Sequence, residues 1–158
     1  MDSEATVVRS NRAEVYLRLN YYSGAAYDAQ RVLSAGGVPA ALSDKAFFRL
    51  AKAQYGRGEY AASEENFARW HARHPEDPAA APWIARCQAR RTESLTGEYA
   101  FASLFREAAK EIRLDVADYM GPIEMKQMTN RGGGRGVVAK RDIRTGELLV
   151  RRPSPVSE

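Results

Sequence analysis

The chain has 158 residues and is 44% hydrophobic, enough apolar material for one or two small domains. It lacks any run of about 18 apolar residues, which excludes a membrane-spanning helix. The opening MDSEATVVRSNRAE has neither region of a secretory signal, so a cytoplasmic or nuclear location is expected. The single Cys87 excludes an internal disulfide and a paired-cysteine metal or redox site. Of the net charge of +4, the stretch from Lys126 onward holds eight Lys and Arg against three Asp and Glu, while the first 125 residues hold sixteen against seventeen. The pI of 9.3 therefore reports the tail.

In chain order, 11-NRAEVYLRLNYYSGAAYDAQRVLS-34 and 49-RLAKAQYGRGEYAASEENFARWHA-72 share one pattern at an offset of 38 residues. Each has an apolar-periodic helix, a tight break before Tyr, and a second helix, which predicts a helical hairpin used twice. Between them, 35-AGGVPAALS-43 reads as a surface Gly/Pro loop. Residues 79–94 predict one more amphipathic helix, with Trp83, Ile84, Cys87 and Leu95 inward and Arg86, Arg90 and Arg91 outward. Such a helix would cap the stack, and Gly97 ends it. Residues 98–113 predict a short helix with Phe101, Leu104, Phe105 and Ile112 on one stripe. A strand is expected over 119–128, followed by strand 136–143, turn 144–147 and a returning strand at Leu148, Leu149 and Val150. The expected architecture is mainly α. Helical hairpin repeats with a capping helix fill 5–95, a connector 96–118, an incomplete β segment 119–152, and a tail 153–158. Being a two-stranded ribbon, that β segment is expected to be mobile or loosely docked.

The stretch 44-DKAFFRLAKAQYGRGEYAASEENFARWHARHPEDP-78 resembles the 34-residue tetratricopeptide repeat without a gap. Phe47, Leu50 and Ala51 stand at the large, large and small positions of its first helix, Gly58 and Tyr60 at the turn, Ser63, Phe67 and Trp70 on the second helix, and Pro75 at the close. Ala51 and Ser63 are small enough to let the helices approach. The earlier unit resembles a subtype of the same family through Ala13, Tyr16, Tyr22 and Ala25.

The segment 134-GRGVVAKRDIRTGELLV-150 resembles the opening hairpin of a SET domain, the fold of protein lysine methyltransferases. The likeness rests on a G-x-G turn, an apolar pair, Ala139, Arg141, Asp142, Ile143, Gly146, Glu147 and Leu148, with 119–127 similar to the strand that precedes it. The order of elements resembles the SET-and-TPR proteins common in fungi. The resemblance implies that Gly134, Arg135 and Gly136 would touch S-adenosylmethionine in a complete domain. The asparagine-histidine and late tyrosine motifs of that family are missing, so the chain alone is expected to be a truncated remnant with no catalytic residue and no cofactor. The alternative is the N-terminal fragment of a working lysine methyltransferase.

A second resemblance concerns the tetratricopeptide subtype that grips the C-terminal carboxylates of chaperones. Asn11, Lys45 and Arg49 match its positions, and the i, i+4 spacing puts the two cations on one face, where they could meet a carboxylate pair. This implies a protein or peptide partner, specifically an acidic C-terminal peptide. Lys45 and Arg49 read also as solvated surface charges. A further alternative for 131-RGGGRG-136 is nucleic-acid association, which the adjoining β pattern disfavours. No membrane partner is expected. His71, His74 and Cys87 match no usual zinc spacing, and no metal site is expected.

Overall fold

The computed structural model describes residues 3–111, 114–129 and 132–152. Ile112, Arg131 and the 153–158 tail lie outside them. The fold is mainly α, and the chain divides into two compact units, residues 1–89 and 90–158, the boundary falling inside the fifth helix.

In the first unit, α1 (Ser3–Arg18), α2 (Tyr22–Leu33), α3 (Ala40–Gly56) and α4 (Tyr60–Arg73) precede α5 (Ala80–Thr96), which runs on into the second. Each of the first three helices packs on its successor, and α1 also touches α3. The 38-residue repeat is visible in the backbone itself. Asn20 and Gly58 are the left-handed residues that end α1 and α3, with φ of 60° and 77°. Tyr21 N–H donates to the Tyr16 carbonyl at 2.8 Å, and Glu59 N–H to that of Gln54 at 2.9 Å. Three-residue bonds run from Asn20 N–H to the Leu17 carbonyl at 3.2 Å and from Gly58 N–H to that of Tyr55 at 2.9 Å. Both hairpins thus close on a Schellman turn, which requires a residue tolerant of positive φ.

Burial repeats at the same offset. Ala13 and Ala51, Ala25 and Ser63, and Ala29 and Phe67 are all fully buried. Ser63 Oγ donates to the Ala51 carbonyl at 2.8 Å, so α4 meets the α3 backbone directly. A polar tie also recurs. Asp28 holds Arg12 through two bonds of 2.6 and 2.8 Å, and its counterpart Asn66 donates to Gln54 at 2.7 Å.

One apolar cluster joins Ala25, Ala26, Ala29, Leu50 and Ala53, with Tyr16, Leu17 and Leu33 against it. The other joins Ala51, Phe67, Ala80 and Cys87. Over it, Phe67 stacks on Trp83 at 5.4 Å, and Phe48 meets Phe67 and Trp70 edge-on at 5.2 and 5.0 Å. Such pairs contribute about 0.5–1.5 kcal/mol each beyond their area. Phe48, not Phe47, enters the cluster, because Phe47 lies under the Arg73 guanidinium at 4.6 Å.

Three local expectations need correction. Residues 40–43 are the first turn of α3 and not loop, since Pro39 sits at the N-cap with φ −56° and its carbonyl accepts from Leu42 and Ser43. A preset φ and the helix formers that follow favour an early start. Leu95 is 71% exposed. Arg90, expected outward, is drawn in by Glu93 at 2.6 Å and Asp115 at 3.6 Å.

The second unit carries α6 (Phe101–Ala108) and four strands: β1 (Tyr119–Met120), β2 (Ile123–Gln127), β3 (Arg135–Ala139) and β4 (Val150–Arg151). The predicted 98–113 helix is cut to eight residues, and its stripe is open, with Phe105 76% exposed. The predicted pairing of 136–143 with 148–150 is also replaced. Residues β2 and β3 form one antiparallel ladder, Ile123 opposite Ala139 to Gln127 opposite Arg135, and β1 pairs with β4 in another.

The switch occurs at Gly121–Pro122. Gly121 N–H donates to the Leu149 carbonyl at 2.8 Å, while the Pro122 carbonyl accepts from Lys140 at 2.8 Å. A Cβ at Gly121 would stand 3.1 Å from two carbonyl oxygens, and Pro122 has no N–H to continue the first ladder. The ribbons are also fastened to the end of α5. Buried Glu93 accepts from Ala117 N–H at 3.0 Å, Tyr99 Oη donates to the Ala117 carbonyl at 2.9 Å, and Arg151 reaches the Val116 and Ala117 carbonyls. This clasp, whose residues are spread over 93–151, sets where the ribbons dock.

Gly58→Ala is expected to lower stability by about 1 kcal/mol, since alanine resists the left-handed region. Asn20→Gly, which relieves the same strain, should change it by less than about 0.5 kcal/mol. Urea denaturation decides this, and equal losses in the two variants would show that the turn does not set the repeat.

Candidate functional site

On α3, Lys45, Phe48, Arg49 and Lys52 recur at i, i+3, i+4 and i+7, a spacing that puts them on one helix face. That face forms the floor of a groove of about 540 Å³, with Glu14 of α1 on one side and Trp70 and His74 on the other. Packing sets its shape. Phe48 and Trp70 are held edge-on by the aromatic cluster beneath, and the His74 ring lies 4.6 Å from Trp70. The Lys52 ammonium stands 5.0 Å from Phe48 and 5.4 Å from Trp83, within cation–π range.

The charges of the groove divide into two groups. Arg49 is only 16% exposed and donates to Glu14 at 3.1 Å, to the Ser10 carbonyl at 2.9 Å and to Ser10 Oγ at 2.5 Å. It braces α3 against α1. Burial pushes the Glu14 carboxyl up, but hydrogen bonds from Arg49 and Arg18 outweigh it and leave the group below its ordinary value. Asp44 faces Arg73 at 3.4 Å and His74 at 3.1 Å, although His74 Nε2 is not aligned for a hydrogen bond. Asp77 Oδ1 accepts from Ala79 N–H at 2.8 Å, just ahead of α5. Lys45 and Lys52 have no acidic partner among the described residues.

Of the three predicted peptide-binding residues, the structure brings together Lys45 and Arg49. Asn11 is exposed on α1, at the repeat position equivalent to Arg49, and does not line the groove. Sequence reasoning missed Lys52, Phe48, Trp70 and His74 as groove residues. The α3 spacing could have signalled the first two. The approach of α4 could not be read that way.

Gly134, Arg135 and Gly136 stand at the start of β3 in the second unit. A Cβ on Gly134 would meet nothing within 4 Å, whereas one on Gly136 would meet Met128 Cγ at 3.0 Å. Arg135 is exposed. Close packing by Met128 explains the absence of a side chain at Gly136, and Gly134 and Arg135 present an open surface. The following turn is braced by Arg141 and Glu147, and Arg141 with the Arg144 N–H holds the Glu147 carboxyl below its ordinary value. No His, Cys, Asp and Glu cluster suited to a metal is found among the described residues.

No protein-family model and no solved structure matches the chain. A curated protein of Gibberella zeae named "Methyltransferase" is 30% identical to it over 141 residues, 89% of the chain. The chain spans 19% of the length of that relative. The match is longer than either unit and so extends into both.

Arg49→Ala should lower stability by about 1–3 kcal/mol, the usual effect of stranding buried acceptors, and Lys45→Ala by no more than about 0.5 kcal/mol. Because Glu14 is lowered in the folded state, its contribution is present above its unfolded value and lost as pH falls through the folded one. The stability gap between the parent chain and Glu14→Gln should therefore close on acidification. Thermal denaturation across pH checks both. A gap that widens toward acid would contradict the Arg49–Glu14 assignment.

Proposed function

We propose that this chain is a tetratricopeptide-type docking module for a protein segment, joined to the opening portion of a SET-like domain in a methyltransferase-related protein. The observation that carries the reading is the groove over α3, which is built by two helical hairpins repeating at 38 residues in turn geometry and burial. A concave surface made by stacked helical hairpins is suited to an extended peptide. The SET-like part rests on the 134–150 resemblance, and the methyltransferase relation on the name of the Gibberella zeae relative.

That name also supports a second reading, in which the chain is the N-terminal part of an S-adenosylmethionine-dependent protein lysine methyltransferase. On either reading the helical unit recruits, and the methyl transfer would belong to a complete SET-like domain. When bound in a complete domain, S-adenosylmethionine would supply the methyl group.

Peptide display against the immobilised full chain tests the groove. Enriched peptides should lose binding to Ala41→Trp, which fills the groove from an exposed position on α3, while circular dichroism stays unchanged. Absence of enrichment, or binding indifferent to Ala41→Trp, would remove the docking function. Calorimetry of the full chain with S-adenosylmethionine should give no saturable heat. A saturable signal would count against the module reading and for a cofactor site within these residues.

A further inference from the structure

Resting on the docking function above, the groove charges specify what kind of segment would fit. Its three cations are not equivalent. Arg49 is consumed by Glu14 and Ser10, so it offers little to a ligand. Lys45 and Lys52 have no acidic partner among the described residues and stand at the two ends of the α3 face, the Lys52 ammonium lying against the Phe48 and Trp83 rings. Seven residues of helix separate them by about 10 Å. Between them lies an apolar floor, the edge-on pair Phe48 and Trp70. The acids of the groove have partners within the chain, Glu14 in Arg49, Asp44 in Arg73 and Asp77 in the Ala79 N–H.

From this arrangement we infer that the groove takes an internal, extended segment of a partner protein with the pattern acidic–x–apolar–x–acidic. In an extended chain, side chains at i, i+2 and i+4 share one face, and the outer two stand about 13 Å apart. The excess over the lysine separation is within reach of two flexible four-carbon stems. The acidic groups pair with Lys45 and Lys52, and the central apolar side chain covers Phe48 and Trp70. A terminal carboxylate is not required, because the residue best shaped for a bidentate carboxylate, Arg49, is already occupied.

The probe is an acetylated, C-terminally amidated peptide carrying Glu-Ser-Leu-Ser-Glu within a Gly/Ser flank, titrated into the full chain by calorimetry. Saturable binding is expected, weakened about tenfold by Lys45→Ala, by Lys52→Ala, or by Gln in place of either Glu. It should also weaken with added salt. Lys110→Ala, outside the groove, should leave it unchanged.

Equal binding of the Gln-Ser-Leu-Ser-Gln peptide, or no binding of the probe, would overturn the inference. So would a requirement for a free C-terminal carboxylate. In each case, peptides selected by display that remain sensitive to Ala41→Trp would keep the docking function intact. Loss of both responses would remove the two together.

Discussion

Two helices can share a backbone-to-backbone contact only where neither carries a large side chain, and the first unit depends on that restriction at Ala51 and Ser63. Ser63 Oγ bonds to the Ala51 carbonyl, and Cys87 Sγ on α5 reaches the same hydroxyl at 3.3 Å. Three helices thus converge on one small polar atom. From this convergence follow the burial of Phe67, its stack on Trp83, and the position of Phe48 and Trp70 at the groove. A larger group at either small position would push α4 from α3 and widen that floor.

The repeat is geometric, and its chemistry adapts to position in the stack. On α3, Ala46, Leu50 and Ala53 are buried. The equivalent α1 residues are Val8, Arg12 and Val15, and both valines are more than half exposed. Arg12, in place of Leu50, turns its guanidinium to Asp28 in α2. That carboxylate is fully buried, and the bidentate bond supplies what burial of an isolated charge would lack. The Arg12 pKa is raised chiefly by the hydrogen bond to Asp28. Asn11 and Arg49 are likewise equivalents with different duties, one exposed and the other a brace between helices.

In the second unit, short ribbons gain order from groups outside the strands. Two-stranded sheets are marginal in water, and here Glu93, Tyr99 and Arg151 converge on the backbone around Ala117. A buried carboxylate is expensive unless paired, and Glu93 is paired with Arg90 and the Ala117 N–H. This arrangement explains why Arg90, on an apparently solvent-facing helical position, is mostly covered. The exposed stripe of α6 is the converse case, with helical periodicity that finds no cover among the described residues.

Local chemistry in the chain was sufficient to announce the helical hairpins. Apolar spacing, the small residues Ala13, Ala25, Ala51 and Ser63, and the breaks at Asn20 and Gly58 act within a few turns and leave their mark in linear order. The end of α5 at Gly97 was legible for the same reason, and so was the mainly α fold. Strand partners were not, because alternation shows which residues face together but not which strand lies alongside. The pairing of 135–139 with 123–127 depends on the crossover at Gly121–Pro122 and on the Leu149 carbonyl. The candidate site was half legible. Lys45 and Arg49 could be placed on one face by spacing alone, but only the tertiary packing decided that Glu14 and Ser10, 35 and 39 residues away, occupy Arg49. That packing leaves Lys45 and Lys52 without an acidic partner among the described residues, since ion pairing depends on distances through space that linear order does not record.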